Sequence, residues 1–294
     1  MNLHQLKKKL KQELKNQGEL KRKANNRKAW LLFFLLIILL GIIGLPYVQD
    51  YRLTLPMRLL AKGVEYESLG QLDLAEQTYV KLKQRYPHTP AAEEALFRMG
   101  RIWQDDRKDM PQALLTYLQL EHDYPESTYV LPARQEAAWI VKYAQRDYSA
   151  AIGYYQHLLE LDKDNADRYL YEIADCYFRL ENYPQARIEL ETLLEDYPHS
   201  ELTADALYRR GGILVLENRP EAAKQSWKQL IDRFPDSSYR SQAEFNLARM
   251  FEEEGLLQDA LDLYRKLTDF PRPSLLQEKI KHLEQRIEKK SKAI

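Results

Sequence analysis

The chain has 294 residues, of which 45% are hydrophobic and 30% are charged, so it is long enough and apolar enough to bury a sizeable core. Only 10 glycines and 13 prolines are present, which disfavours an all-β fold built on many tight turns. The single cysteine, Cys176, excludes an intrachain disulfide and a cysteine-rich metal site. The net charge of zero hides an uneven distribution, because residues 1–28 carry +8 and the remainder carries −8.

Residues 1–28 are predicted to form a basic cytoplasmic segment. Leu3, Leu6, Leu10 and Leu14 recur at helical spacing, so a helix would place them on one face and lysines on the others. Such a helix would bind an anionic lipid surface or a partner protein. In the alternative interpretation, the basic residues serve only to orient the chain in a membrane.

Residues 29–48, AWLLFFLLIILLGIIGLPYV, contain no charged side chain. A helix of this length spans about 30 Å, the thickness of the hydrocarbon core of a bilayer, so a transmembrane helix is predicted. The run is longer than the apolar region of a signal peptide, and no Ala-x-Ala cleavage site or lipidated cysteine follows it. The basic residues before the span predict a cytoplasmic N-terminus and a single-pass protein of the inner membrane. Everything after the linker, residues 49–55, would then be periplasmic.

One pattern occurs six times within residues 56–273, at intervals of 36 to 38 residues. An aromatic–proline pair or its equivalent marks each copy: Tyr86-Pro87, Tyr124-Pro125, Leu161-Asp162, Tyr197-Pro198, Phe234-Pro235 and Phe270-Pro271. A second position in each copy always holds a small residue, either glycine or alanine: Gly63, Gly100, Ala138, Ala174, Gly211 and Ala248. Further on, an alanine is followed four residues later by a large side chain: Ala75 and Tyr79, Ala113 and Tyr117, Ala150 and Tyr154, Ala186 and Leu190, Ala223 and Trp227, Ala260 and Tyr264.

Each copy is predicted to be a pair of helices joined by a short polar turn. The two small residues would let the helix backbones approach closely, and the large side chains would fill the adjoining gaps. The proline ends the second helix, and the Ser or Thr two residues later is predicted to cap the next helix. The third junction lacks the proline, and Asp164 or Asn165 is expected to cap there.

This pattern resembles the tetratricopeptide repeat family, whose usual unit has about 34 residues. The longer unit with its Tyr-Pro-x-Ser/Thr junction is similar to the bacterial envelope branch of the family, which includes the Tol-Pal coordinator and the outer-membrane assembly lipoprotein. The topology resembles that of the ancillary subunit of the secretion translocon. The fold is therefore predicted to be all-α: one transmembrane helix, then an α-solenoid of six helix pairs. An amphipathic stripe in residues 274–294 predicts a C-terminal capping helix.

The resemblance also implies a binding surface, because the first helix of each pair lines the concave face of such repeats. Offsets of −3, +1 and +4 from the small residue would point inward and bind a protein or peptide partner through Phe97, Arg101, Gln104, Trp139, Lys142, Tyr171, Asp175, Phe178, Tyr208, Phe245, Arg249 and Glu252. The aromatic residues at offset −3 have an alternative, which is to pack between neighbouring helices. The asparagine of carboxylate-clamp members is missing at offset +1, so capture of a C-terminal carboxylate in that manner is not expected.

No sequence motif for catalysis, metal binding or phosphate binding is present, and the net negative body disfavours nucleic acid. We therefore expect no enzymatic activity and no cofactor. The predicted function is a membrane-anchored scaffold or adaptor for protein–protein interaction in a bacterial envelope complex. Two alternatives remain: a chaperone-like binder of clients near the secretion translocon, and a transmembrane regulator that acts through the basic cytoplasmic helix.

Overall fold

The computed structural model describes residues 33–39, 54–267 and 270–292, and all secondary structure in these ranges is helical. The chain forms two compact units, residues 1–95 and 96–294, and the division falls within the third helix. After a helical segment at 33–39, the helices are α1 (54–68), α2 (Leu72–Arg85), α3 (Pro90–Arg101), α4 (Met110–Asp123), α5 (Val130–Trp139), α6 (Tyr148–Leu161), α7 (Ala166–Arg179), α8 (Tyr183–Asp196), α9 (Thr203–Leu216), α10 (Pro220–Arg233), α11 (Arg240–Glu253), α12 (Leu257–Lys266) and α13 (Pro273–Lys292).

In the second unit, every helix from α4 to α13 packs against the next helix in the chain. Helices that each pack against the next one along the chain are the pattern of an α-solenoid, so the predicted all-α repeat fold is confirmed. The last helix, α13, covers the core of the final repeat with Leu276 and Leu283, which are buried, and with Ile280 and Ile287, which are partly buried.

The predicted basic segment, residues 1–28, lies outside the described residues, as do most of the predicted transmembrane helix at 29–48 and most of the linker. Residues 33–39 of the predicted span are helical, and their side chains are exposed. In the ranges that the structure describes, no helix combines the length and the apolarity needed to cross a membrane.

The small residue of each repeat lies against the large side chain on the second helix of the same repeat. A Cβ added to Gly100 would come within 2.4 Å of the Tyr117 ring, and one added to Gly211 would come within 2.3 Å of Trp227 Nε1. In the first unit, Gly63 faces the ring of Tyr79 in the same way. The predicted close approach of the two helices is therefore confirmed, and glycine is required wherever this ring lies directly over the backbone.

The predicted register of the third repeat is wrong by one residue. Ala151 and Tyr155 are buried there, whereas Ala150 is exposed and Tyr154 is only partly buried. In all six repeats a residue with positive φ stands five positions before the buried alanine, in the turn that joins the helix pair: Gly70, Lys108, Arg146, Glu181, Asn218 and Gly255. The positive φ of Arg146 therefore shows that Ala151, and not Ala150, is the equivalent alanine of the third repeat.

The first helix of the third repeat has one more residue at its end than that of the fourth. In the fourth repeat the Asn182 N–H donates to the Tyr177 carbonyl, five residues back, at 2.9 Å. The corresponding bond in the third repeat joins Asp147 to Val141, six residues back, at 3.1 Å. The extra residue is accommodated by a π-helical turn, Ile140–Gln145, and a similar turn, Ile102–Asp106, occupies the second repeat.

The helix caps differ from the prediction in part. Thr89 accepts a hydrogen bond from the Ala92 N–H at 3.3 Å and caps α3 as expected. The other junction serines, Ser127, Ser200 and Ser237, accept instead from the N–H two residues later, in the turn before the helix. Asn165 precedes α7 without a side-chain cap, and its side-chain NH2 group donates to Asp162.

Candidate functional site

A pocket of about 350 Å³ opens between α7, α9 and α11, the first helices of the last three repeats. We call it the α9 pocket, because α9 contributes the largest share of its lining. Its apolar lining includes Ile213 and Leu216 of α9 and reaches inward to Trp227 of α10. A concave, largely apolar space with a few polar groups is the usual form of a binding site.

The space exists because α9 carries two consecutive glycines that face different surroundings. Gly211 is packed against Trp227, as its position in the repeat requires. Gly212 lines the pocket, and a Cβ added there would meet no atom within 4 Å. Since no side chain projects from residue 212, the groove between the first helices stays open at this point.

Asp175 supplies one charge of the pocket lining, and it is already neutralised by two cations. It is buried and accepts from Lys142 Nζ at 2.8 Å and from Arg209 Nη1 at 2.7 Å. Burial alone would raise the pKa of Asp175, but the hydrogen bonds and charges of Lys142 and Arg209 hold it below its usual range. Lys142 is itself buried, and Asp175 together with Glu172 keeps its pKa above the ordinary value despite burial.

Arg209 is also fully compensated within the chain. Besides Asp175, it donates through Nε to Asp205 at 3.1 Å. Asp205 in turn accepts from the hydroxyl of Tyr239 at 3.1 Å and from the hydroxyl of Tyr171. The Arg209 guanidinium lies 4.7 Å from the centre of the Tyr171 ring. This network joins the first helices of three successive repeats and holds Arg209 in place.

Arg249, another charged residue of the lining, is less well compensated than Arg209. Arg249 Nε is buried without a hydrogen-bond partner in the described part of the chain. Glu253 Oε1 lies 3.6 Å from this nitrogen, which is close enough for an ion pair but too far for a hydrogen bond, and 43% of the Arg249 side chain is exposed. The side-chain amide of Asn246, one turn earlier on α11, also borders the pocket. The pocket therefore combines apolar surface with a cation that is only loosely paired and with a side-chain amide.

Comparison with known proteins finds a family whose sequence models match part of these helix pairs. Two sequence models of the tetratricopeptide repeat match the chain, one over residues 142–211 and the other over residues 94–127 and 205–237. The matched segments, which make up less than half of the chain, are tetratricopeptide repeats. Proteins built of such repeats are typically non-catalytic scaffolds for protein–protein interaction.

Several solved structures are similar to this tetratricopeptide repeat chain. A tetratricopeptide repeat protein from Parabacteroides merdae aligns with a TM-score of 0.52 and 18% identity, over 78% of this chain and 87% of that one. PilW, a type IV pilus biogenesis factor, aligns with a TM-score of 0.47 and 14% identity over 78% and 97% of the two chains. YrrB, a protein with an unusual peptide-binding site, aligns with a TM-score of 0.46 and 18% identity, over 63% of this chain and 89% of that one. At these identities the likeness concerns the fold alone, and a search of curated proteins gives no match.

Four of the twelve residues predicted to bind a partner line the α9 pocket: Asp175, Phe178, Tyr208 and Arg249. Two others are exposed elsewhere on the tetratricopeptide repeats. Trp139 is 42% exposed and lies beside the Tyr143 ring at 5.7 Å, and Arg101 pairs with Asp105 at 3.2 Å.

The polar members of the remaining six interact inside the repeats. Gln104 accepts from the Tyr117 hydroxyl at 2.9 Å and donates to Glu136 at 2.7 Å. Lys142 and Tyr171 belong to the network around Asp175 and Arg209. Glu252 accepts from Lys279 at 3.1 Å and from Arg286 at 2.8 Å, and it thereby attaches the capping helix α13.

The aromatic members of this group pack between neighbouring helices, which was the alternative to partner binding in the sequence analysis. The Phe97 ring lies 5.9 Å from the Tyr117 ring and 5.4 Å from the Tyr129 ring. The Phe245 ring stacks on Phe270 at 4.3 Å. Both side chains are half-buried between neighbouring helices, so packing accounts for their position.

Sequence reasoning missed Arg209, Gly212 and Asn246 as members of the site. A signal was present for Gly212, which occupies offset +1, where the other repeats carry a side chain. A glycine at an inward-facing helix position predicts a gap rather than a contact. Arg209 and Asn246 do not stand at offset −3, +1 or +4 from the small residue, so the rule used for the family does not select them.

Cys176 and the histidine and acidic side chains were the remaining candidates for chemistry in the sequence. Cys176 is buried, and burial raises the pKa of its thiol to about 11, so it stays protonated at neutral pH. Across residues 33–39, 54–267 and 270–292, no group of three histidine, cysteine or acidic side chains is arranged to hold a metal ion.

Proposed function

We propose that this tetratricopeptide repeat protein is an adaptor that holds a segment of a partner protein in the α9 pocket. The observation that carries the proposal is the open space at Gly212, bordered by apolar side chains and by Arg249, whose Nε has no hydrogen-bond partner among the described residues. A partner residue that filled this space would be removed from water on several sides, which is the situation of an interface anchor.

The adaptor is further proposed to be anchored in the inner membrane of a bacterial envelope. The charge-free run at residues 29–48 and the +8 charge of residues 1–28 support a single span with a cytoplasmic N-terminus. The repeats would then bind their partner in the periplasm, close to the membrane surface, as part of an envelope complex.

Site-specific photo-crosslinking in the native cells would test the adaptor function. A photoreactive amino acid would replace Gly212 in the full chain, and a matched control would carry it at Gly153. Gly153 lies in the middle of α6, where an added Cβ also meets nothing within 4 Å, but it does not line the α9 pocket. Adducts would be identified by mass spectrometry.

A small set of proteins crosslinked from residue 212 and not from residue 153 would support the adaptor. Many unrelated adducts from residue 212 would favour the chaperone-like alternative instead. The same adducts from both positions would contradict a binding site in the α9 pocket. A cytoplasmic partner that depends only on residues 1–28 would favour the regulator.

A further inference from the structure

We propose that the α9 pocket recognises an extended partner segment in which one large apolar side chain is adjacent to an aspartate or a glutamate. The inference rests on the proposed function and names the chemistry of the partner. The apolar side chain would fill the space at Gly212, and the acidic side chain would pair with Arg249.

The apolar half of this proposal follows from the lining of the pocket. Phe178 is 39% exposed and Leu216 is 53% exposed, and both contribute to the same opening. Burial of apolar surface yields about 25 cal/mol per Å², so a side chain of leucine or phenylalanine size gains most by entering. The volume of about 350 Å³ suits a single large side chain and part of its neighbour rather than a folded element.

The acidic half follows from the charges that border this space. Arg209 is neutralised by Asp175 and Asp205, so it offers little to an incoming anion. Arg249 has only Glu253, whose carboxylate is 3.6 Å away and whose side chain is largely exposed. Since a buried guanidinium nitrogen without an acceptor is unfavourable, a carboxylate supplied by the partner would satisfy it.

The side-chain amide of Asn246, which lines the pocket, suits an extended main chain. An asparagine side chain carries both donors and an acceptor, so it can pair with the N–H and C=O of one peptide unit. Asn246 and Arg249 lie on the same face of α11, three residues apart. A segment lying across this face would therefore place its main chain at Asn246 and its acidic side chain at Arg249.

A peptide selection on phage would test the proposal with the purified full-length chain as the bait. Peptides fused to the coat protein through their C-terminus have no free terminal carboxylate, so an acidic preference must come from side chains. Parallel baits would be Gly212→Leu, Gly153→Leu and Arg249→Glu. Synthetic peptides with both ends capped would then be measured on the wild type and on Arg249→Gln.

The expected result is enrichment of a large apolar residue beside Asp or Glu on the wild type and on Gly153→Leu, and loss of this motif on Gly212→Leu. On Arg249→Glu, the acidic residue is expected to be replaced by Lys or Arg. Changing the acidic residue of the peptide to its amide should weaken binding to the wild type about tenfold. On Arg249→Gln the same change in the peptide should alter the dissociation constant by less than about twofold.

Two outcomes would overturn the inference, and they can be told apart. An apolar motif that is lost on Gly212→Leu but shows no acidic preference would refute the role of Arg249 and leave the adaptor function intact. A failure to select any motif that depends on Gly212 would refute both the inference and the binding role of the α9 pocket.

Discussion

Gly211 and Gly212 are consecutive residues of α9, yet one lies against a ring and the other faces open space. A Cβ on Gly211 would lie 2.3 Å from Trp227 Nε1, whereas a Cβ on Gly212 would have no neighbour within 4 Å. The first glycine keeps the two helices of its repeat in close contact. The second leaves the α9 pocket open.

Replacement of the two glycines by alanine should therefore have opposite effects on stability. Gly211→Ala is expected to lower the free energy of unfolding by about 1–3 kcal/mol, because Trp227 must move. Gly212→Ala is expected to raise it by about 0.5–1 kcal/mol, since alanine is the better helix former and meets no obstacle. Urea denaturation followed by circular dichroism would measure both. Equal effects of the two substitutions would contradict this account of α9.

The buried tyrosines Tyr117 and Tyr264 occupy the same position in different repeats but differ in hydrogen bonding. The Tyr117 hydroxyl donates to Gln104 at 2.9 Å, whereas the Tyr264 hydroxyl is buried without a partner among the described residues. Glu252, which stands where Gln104 stands in its own repeat, is bound by α13 instead.

Tyr117→Phe is accordingly expected to destabilise the chain by about 1–2 kcal/mol, because Gln104 loses a buried donor. Tyr264→Phe removes an unpaired hydroxyl, so its effect should lie between zero and a gain of about 1 kcal/mol. The comparison uses the same chemical change at two buried sites, and thermal unfolding of both variants would decide it. A larger loss in Tyr264→Phe would refute the assignment.

The charges around Asp175 predict a dependence of stability on pH. Because the pKa of Asp175 is lower in the folded chain than in the unfolded one, its contribution is present above the unfolded pKa, about 3.9, and is lost as the pH falls through the folded pKa. At pH 7, Asp175→Asn should cost about 3 kcal/mol, since Lys142 and Arg209 lose their shared anion.

Urea denaturation at pH 7, 5 and 3 would measure this effect. The difference between wild type and Asp175→Asn should be largest at pH 7 and should shrink below about pH 4. Asp105→Asn is the control, because it breaks an exposed pair with Arg101 and should change stability by less than about 1 kcal/mol at each pH. A constant difference for Asp175→Asn at all three pH values would argue against the buried network.

The proposed membrane anchor predicts the behaviour of the full chain on fractionation. Residues 29–48 should keep the protein in the membrane pellet after alkaline carbonate extraction, and a protease added to the periplasmic side should digest the repeats. Replacing both Leu36 and Ile38 by lysine should release the protein, because each charge costs about 3 kcal/mol at the centre of a span. Release of the wild-type chain by carbonate would contradict the anchor.

The repeat architecture could be predicted from the sequence because its signals are local and recur at nearly fixed intervals. The error in the third repeat has a physical cause. Ala150 and Ala151 are adjacent, as are Tyr154 and Tyr155, so either register satisfies the pattern. The decisive feature is the π-helical turn at Ile140–Gln145, and a backbone insertion of this kind has no residue signature.

The binding surface was less predictable from the sequence. The offset rule predicts the direction in which a side chain points, but not whether other side chains of the protein already contact it. Lys142 points where the rule requires, but Glu172 and Asp175 of the next repeat bury it. Phe245 meets Phe270, twenty-five residues later in the chain. Such contacts depend on side chains from other helices, and the pocket itself depends on a side chain that is missing at residue 212.

The most direct test of the central claim is the affinity of the partner recovered by photo-crosslinking, measured on three forms of the full chain. Gly212→Leu fills the α9 pocket, and Gly153→Leu makes the same change at an open position on α6. We predict that Gly212→Leu raises the dissociation constant at least about tenfold and that Gly153→Leu leaves it unchanged. An unchanged dissociation constant in Gly212→Leu would show that the partner binds elsewhere.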